Sequence, residues 1–133
     1  MDSSIHYPAH SPENPDPHVI YILSGGSGAS GEQLVHTVLA QFPNSPVRVI
    51  TIPNLRSIAQ VEEILRHAQA SQATVVHTLV DSRLRSEVIA LAIQLEVTAL
   101  DLMGDLIDHL EPMLGESARE EPGLYRKFNQ AYF

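Results

Sequence analysis

Four short apolar runs, mostly of β-branched residues, alternate with four longer segments whose apolar residues recur every three or four positions. The runs are Val19–Leu23, Val47–Ile52, Thr74–Val80 and Val97–Leu100. Continuous apolar runs of this length are typical of strands that are covered on both faces. Parallel strands joined by helices need right-handed crossovers. The sequence therefore predicts an α/β fold: an open four-stranded parallel sheet with helices on both faces, of the Rossmann or flavodoxin-like kind.

The four intervening segments carry helix signals at both ends. Ser30 with Gln33, and Ser57 with Gln60, have the spacing of a capping box, and Asp81 or Ser82 can cap the third helix. Gly115 ends the fourth. We expect the apolar stripes of these helices to face the core: Leu34, Val35, Val38, Leu39 and Phe42; Ile58, Val61, Ile64, Leu65 and Ala68; Leu84, Val88, Ile89, Leu91, Ala92 and Leu95; Leu106, Ile107, Leu110, Met113 and Leu114.

Composition limits the partners and the compartment. The 133 residues suit one domain, and 44% of them are hydrophobic. A net charge of −8 argues against a nucleic-acid partner or an anionic membrane, because phosphate binding needs a basic surface. The chain has no Cys and no N-terminal apolar segment of a signal peptide. We expect a cytoplasmic protein that binds neither nucleic acid nor membrane.

Three regions differ in composition. Residues 1–17 are rich in proline and polar residues and are predicted to be a disordered leader. Residues 18–115 hold the α/β domain, and residues 116–133 are predicted to be a linker followed by the start of an aromatic-rich helix. Because this helical stripe has no C-terminal cap, we expect the chain to lead into a C-terminal half that it lacks.

A glycine-rich loop between the first strand and the first helix is the leading candidate for a binding site. In a parallel sheet such a loop lies at the carboxyl end of a strand, where the N–H groups of the next helix can bind an anion. The candidate anion-binding residues are Ser24, Gly26, Ser27, Gly28 and Ser30. The glycines could equally serve only to form a tight turn.

Three more specific motifs fit this loop incompletely. It matches the dinucleotide pattern G-x-G-x-x-G, but Asn54 stands after the second strand where an acid should bind ribose. Glu32 and Gln33 occupy the places of the P-loop lysine and hydroxyl. Ser27 falls one residue short of a nucleophile elbow. A stand-alone anion-binding module, and less strongly a dinucleotide-binding domain, remain alternatives.

The other strand ends add charged and polar side chains to the same predicted edge. The candidate cleft residues are Asn54, Arg56, Asp81, Arg83, Arg85 and Asp101. Arginines placed there could bind a phosphate, a carboxylate or an acidic partner, or they could balance surface acids.

The histidines and the C-terminal acids are assigned structural places. His77 is interpreted as a core or sheet-edge histidine, and His36, His67 and His109 as surface residues. The carboxylates of Asp105, Asp108, Glu111, Glu116, Glu120 and Glu121 are interpreted as a solvated face. We predict no metal site and no catalytic residue in this chain.

The order of several short motifs resembles one family, the regulatory proteins of pyruvate,phosphate dikinase and phosphoenolpyruvate synthase, which are bifunctional protein kinases and phosphate-dependent phosphorylases. The motifs are Ile20-Tyr-Ile-Leu-Ser24, Leu39-Ala-Gln-Phe-Pro43, Val75-Val-His-Thr-Leu-Val80 with Leu84-Arg85, Asp101-Leu-Met-Gly104, Glu121-Pro-Gly-Leu124 and Tyr132-Phe133. Where the family carries an Asp-Ser-Thr-Gly-Glu-like run, this chain has Gly25 to Ala29.

The resemblance implies a division of labour. Its members phosphorylate a Thr or Ser of the target enzyme with a nucleotide and remove that phosphate with inorganic phosphate. The nucleotide-binding groups belong to the C-terminal half, so ADP or ATP and phosphate are expected only with that half. For this chain the resemblance implies no activity of its own, a role in assembly, and recruitment of the target dikinase or synthase.

The last ten residues carry an aromatic stripe that needs a cover. Its members are Leu124, Tyr125, Phe128 and Tyr132. A helix of about ten residues is marginal alone in water. We therefore expect a homo-oligomer, with a dimer interface at Leu124–Phe133.

Overall fold

The computed structural model describes residues 17–125, so Phe128 and Tyr132 of the predicted interface and most of the predicted leader lie outside the described residues. Four strands and four helices alternate strictly: β1 (His18–Leu23), α1 (Ala29–Leu39), β2 (Val47–Ile52), α2 (Ile58–Ser71), β3 (Thr74–His77), α3 (Ser82–Leu95), β4 (Ala99–Asp101) and α4 (Gly104–Leu114).

All strand pairs in the sheet are parallel, and the strand order is β2-β1-β3-β4. The register pairs Leu23 of β1 with Ile52 of β2 and with His77 of β3, and His77 with Asp101 of β4. The connections that follow the four strands therefore open at one edge. The predicted four-stranded parallel α/β fold is confirmed.

The two faces of the sheet are covered unequally. Alternate residues of β1 point to opposite faces, because a strand has a side-chain period of two. Val19, Tyr21 and Leu23 belong to the large core under α2 and α3, whereas Ile22 belongs to a small cluster under α1. The second face is therefore the thinly covered one.

Local signals predicted the middle of the chain well. Both bonds of the Ser57–Gln60 capping box are present at the start of α2, and the predicted stripe of that helix is buried from Val61 to Ala68. Asp81 caps α3 by accepting the N–H groups of Arg83 and Leu84. Gly115, with φ of 64°, ends α4 as predicted.

Two strand boundaries differ from the predicted ones by more than one residue, and the start of β1 and the end of β4 differ by one. β3 ends at His77 instead of Val80: the Thr78 N–H still donates to the Leu23 carbonyl of β1, but the Leu79 N–H donates to the His77 ring instead of to a strand. β4 begins at Ala99 instead of Val97, because the Val97 N–H closes the end of α3 by donating to the Ala92 carbonyl at 2.9 Å.

The start of α1 was also predicted wrongly. No capping box forms at Ser30 and Gln33; the N-cap is Gly28, with φ of 87°, and the helix begins one residue later. A Cβ added at Gly28 would collide with the Thr51 methyl group. The turn therefore needs glycine both for its left-handed backbone and for its close contact with β2.

Three predicted core faces are exposed in part. Of the predicted α1 stripe Val35 is buried, while Leu34 and Val38 are 44% and 50% exposed, and Phe42 lies beyond the helix. In α3 Ile89 is exposed, although the rest of its stripe is buried. In α4 Gly104 is the buried residue, and Leu106, Leu110, Met113 and Leu114 are exposed. Helical periodicity marked these faces correctly as apolar, but no element of the described chain covers them fully.

The packing of Gly28 against Thr51 leads to a prediction about stability. Gly28→Ala should lower the free energy of unfolding by about 2 to 4 kcal/mol, because left-handed strain adds to the collision with Thr51. Gly115→Ala is the matched control, since Gly115 also has positive φ but an added Cβ meets nothing within 4 Å. That control should cost only about 1 kcal/mol. Urea unfolding measures both, and equal losses would contradict the role given to the Thr51 contact.

Candidate functional site

The candidate site is a cleft at the carboxyl edge of the sheet. It has a volume of about 390 Å³. One wall is the glycine-rich loop, and the opposite wall is the segment Ala118–Tyr125. Thr78 and Val80 after β3, and Met103 and Ile107 at the start of α4, complete the lining.

All five predicted anion-binding residues line this cleft: Ser24, Gly26, Ser27, Gly28 and Ser30. Two of the serines bind the loop's own backbone. The Ser24 Oγ accepts the Gly26 N–H at 3.0 Å, and the Ser27 Oγ accepts the Ala29 N–H at 3.3 Å. An anion at this turn would have to compete with these hydroxyl groups for those two N–H donors.

The loop is also bonded to the connection that follows β2. The Asn54 N–H donates to the Gly26 carbonyl at 2.9 Å, and the Leu55 N–H donates to the Ser24 carbonyl at 3.0 Å. Leu55 is buried, with 2% of its surface exposed. These bonds hold the two neighbouring loops in a fixed relation.

The predicted cleft arginines bind the chain itself. Arg56 Nη1 donates to the carbonyls of Gly25 and Leu55, and Arg83 Nη2 donates to the Arg56 carbonyl at 3.3 Å. One arginine, Arg119, is among the described residues that line the cleft, and it follows α4. Arg56 and Arg83 thus connect successive loops along the carboxyl edge.

Arg85 and Asp101 form an ion pair beside the cleft. The Arg85 Nε lies 3.2 Å from Asp101 Oδ2, and the Arg85 Nη2 lies 3.6 Å from Asp108 Oδ2. The other carboxylate oxygen of Asp101 accepts the N–H groups of Met103 at 3.0 Å and Gly104 at 2.6 Å. Asp101 therefore links α3 to the first turn of α4.

The environment of Asp101 favours its charged form. Partial burial acts to raise its pKa, but the Met103 and Gly104 N–H groups, His77 and Arg85 together outweigh burial. The pKa of Asp101 is therefore lower than its ordinary value of 3.8.

His77 lies in the core, as its place in the third strand predicted, with 1% of its surface exposed. Its Nδ1 accepts the Leu79 N–H at 3.2 Å, which places the proton of the neutral ring on Nε2. The Nε2 is 3.9 Å from Asp101 Oδ2. Burial lowers the pKa of His77 more than the Asp101 charge raises it, so the ring is neutral at physiological pH.

Three residues of the predicted acidic face have specific partners. Besides Asp108, Glu111 Oε2 accepts the Ala118 N–H at 2.8 Å, and Glu120 Oε1 accepts the Ser82 N–H at 2.5 Å. These contacts fold the predicted linker back onto the carboxyl edge. Sequence reasoning missed this wall of the cleft because a polar segment without periodicity gives no signal of where it packs.

His36, His67 and His109 are exposed, as predicted. Within residues 17–125 no helix has the length and apolar character needed to cross a membrane. The same residues contain no cluster of three or more His, Asp and Glu side chains suited to a metal ion.

The ion pair between Asp101 and Arg85 leads to a prediction about how the free energy of unfolding depends on pH. Asp101→Asn should lower the free energy of unfolding at neutral pH by about 1 to 3 kcal/mol, because Arg85 and the α4 N–H groups lose a charged partner. Since folding lowers the pKa of Asp101, this contribution is fully present above the unfolded value of 3.8 and is lost as the pH falls below it. Urea unfolding at neutral pH and at pH about 3 measures the difference.

Glu63→Gln, which removes an exposed carboxylate from α2, is the control and should change stability little at either pH. A destabilisation by Asp101→Asn that is equally large in acid would show that the charge of Asp101 is not the cause.

Comparison with known proteins places the chain in a family. A family model described as kinase/pyrophosphorylase matches residues 20–133. A pyruvate, phosphate dikinase regulatory protein of Chloroflexus aurantiacus is 39% identical over 114 residues, which are 86% of this chain and 41% of that relative. A similarly named protein of Desulfotalea psychrophila is 33% identical, and the match covers 84% of this chain and 40% of that relative. Another, of Carboxydothermus hydrogenoformans, is 35% identical, and the match covers 86% of this chain and 42% of that relative.

The chain thus spans about two fifths of the length of the curated relatives that it matches, in their N-terminal part. The family model covers far more than half of this chain, and it includes most of β1, the other three strands, the glycine-rich loop and the segment that forms the opposite wall of the cleft. The chain belongs to the kinase/pyrophosphorylase family.

Proposed function

We propose that this chain is the N-terminal assembly and target-recruiting domain of a protein that regulates pyruvate,phosphate dikinase or phosphoenolpyruvate synthase by reversible phosphorylation of a Thr or Ser. The observation that carries the proposal is the match of residues 20–133 to the N-terminal two fifths of proteins named as dikinase regulators. The target is then the dikinase or the synthase itself.

Phosphoryl transfer is assigned to the remainder of the full-length protein. In this chain Glu32 lies in the first turn of α1, where a P-loop would place a lysine against the phosphates. A carboxylate there repels a nucleotide phosphate. ADP or ATP and inorganic phosphate are therefore ligands of the full-length protein, and the domain supplies binding of the target.

The exposed apolar face of α4 is the recruiting surface in this proposal. Leu106, Met113 and Leu114 are 63%, 67% and 67% exposed, respectively. Leu106 and Met113 are seven positions apart and lie on one side of α4, whereas Asp108 is directed to Arg85 of α3. Exposed apolar residues that share one face of a helix mark protein–protein interaction sites.

Substitution on this face should weaken target binding. The double variant Leu106→Gln/Met113→Gln keeps good helix formers but removes two apolar anchors, so its affinity for purified pyruvate,phosphate dikinase or phosphoenolpyruvate synthase should fall at least about tenfold. Biolayer interferometry with the immobilised 133-residue chain measures this affinity.

Ile93→Gln is the matched control, because Ile93 is an exposed apolar residue of α3, with 75% of its surface accessible. It should bind the target as the unsubstituted chain does. Failure of the unsubstituted chain to bind either enzyme would contradict the recruiting role. Equal loss in the control would contradict the assignment of α4.

Assembly is assigned to Leu124–Phe133. Tyr125 is 74% exposed, and Leu124 is half-buried at the rim of the cleft. An aromatic side chain this exposed gains free energy when a second copy covers it. The proposal is a homodimer that buries this stripe.

Removal of residues 124–133 should reduce the mass measured by light scattering from that of a dimer to that of a monomer. Circular dichroism should show that the α/β domain remains folded, because the buried residues of its large core belong to the part of the chain from β1 to α3, which the truncation leaves intact. An unchanged mass after truncation would contradict this interface, as would a monomeric full chain.

A small-anion site at the glycine-rich loop is the second candidate function. Its support is the cleft of about 390 Å³ lined by Ser24, Ser27 and Ser30. Glu120 and Glu121 also line this cleft, and their charge opposes an anion. Titration with inorganic phosphate, followed by NMR of residues 24–31, distinguishes this function from recruitment. Dinucleotide binding has less support, because Asn54 stands where the ribose-binding acid should be.

A further inference from the structure

The segment 116–125, called the strap here, returns from the end of α4 to the glycine-rich loop. Most of its residues are exposed, and none is fully buried. It is therefore held by a few individual contacts rather than by a core. Segments of this kind open at low free-energy cost compared with core strands and helices.

The central contact is made by Glu120. Its Oε1 accepts the N–H of Ser82, the first residue of α3, at 2.5 Å. The backbone of Glu120 has a φ of 57°, a left-handed conformation that is unfavourable for a residue with a side chain. The bond to Ser82 offsets that cost only while the strap lies on α3. Bonds to the backbone and side chain of Ser82 lower the pKa of Glu120, which keeps it charged.

The two ends of the strap have different attachments. At its start the Ala118 N–H donates to Glu111 Oε2 at 2.8 Å, which ties the strap to α4. At its end Pro122 lies against Gly25, where an added Cβ would be 3.3 Å from the Pro122 Cβ. Gly123, with φ of 81°, then turns the chain toward Leu124 and Tyr125.

We propose that the strap is a latch over the glycine-rich loop, with the Glu120 carboxylate on the N-terminus of α3 as its catch. When Glu120 lies on Ser82, the strap closes one side of the cleft. When that bond breaks, Pro122 leaves Gly25 and the cleft opens. Access to the loop is thereby coupled to the contact between the strap and α3, whichever protein the domain recruits.

Two variants each remove the bond between Glu120 and Ser82, one by removing the acceptor and the other by removing the donor. Glu120→Ala removes the acceptor. Ser82→Pro removes the N–H donor at the first position of α3, where proline is well tolerated. The backbone of Asp81, with φ of −74° and ψ of 117°, already suits a residue that precedes proline. Asp81 caps α3 through Arg83 and Leu84, so its cap bonds remain.

Hydrogen exchange of the backbone amides, measured by mass spectrometry on the full chain, shows how often the strap opens. In both variants the amides of the strap and of residues 24–31 should exchange roughly threefold faster or more, while those of β1 and β3 stay unchanged. The double variant should add little to either single variant, because all three lack the same bond. Glu116→Ala is the control: it removes a carboxylate from the same segment and should leave exchange unchanged.

Faster exchange in the strap alone would overturn the proposal, since the strap would then not cover the loop. Unchanged exchange in both segments would also overturn it. If Ser82→Pro accelerates exchange in β1 and β3 as well, the helix itself has been damaged. Glu120→Ala, which leaves the α3 backbone intact, then decides the question alone.

Discussion

The structure depends on the enclosure of β1. This strand pairs with β2 on one side and β3 on the other, and its residues Tyr21, Ile22 and Leu23 have no exposed surface. Because the strand is covered on both faces and paired on both edges, its carboxyl end lies at one defined place. The glycine-rich loop starts there, and the turn that it must make is set by the packing of Gly28 against Thr51. The cleft is a consequence of this geometry.

Unequal covering of the two faces explains where the surface is apolar. The α2 and α3 helices bury a continuous core against one face, whereas the cluster under α1 has three buried residues, Ile22, Val35 and Val76, among the described residues. Parallel sheets need cover on both sides. The exposed apolar residues of α1 and α4 are therefore surface that a neighbouring protein segment can still bury, which is the basis of the recruiting role proposed for α4.

Charged groups at the carboxyl edge act chiefly within the chain. Arg56 and Arg83 bind backbone carbonyls, Arg85 binds Asp101, and Glu120 occupies the start of α3. Each of these contacts joins two segments that are at least 16 positions apart in the chain. The connections after β1 and β2 are joined by several bonds, whereas the strap contacts α3 through the Glu120 carboxylate. Such an arrangement lets one loop move without disturbing the core, as the latch requires.

The sequence by itself determined the features that depend on near neighbours in the chain. The order of strands and helices, the Ser57–Gln60 box, the Asp81 cap and the Gly115 end follow from patterns within a few residues, and the family resemblance follows from the order of motifs. The candidate anion-binding residues could also be named, because a loop after a strand must lie at the carboxyl edge.

Only the tertiary structure decided what each side chain contacts. The N-cap of α1 is Gly28 instead of Ser30, and only the packed structure shows that Thr51, from another strand, lies against this glycine. Glu120 and Ser82 are 38 positions apart, and no local pattern relates them. The stripe of α4 is apolar by sequence but exposed in the structure, because periodicity shows which residues share a face and not whether anything covers that face. Contacts between distant segments depend on the packing of the whole domain, and a local pattern contains no information about it.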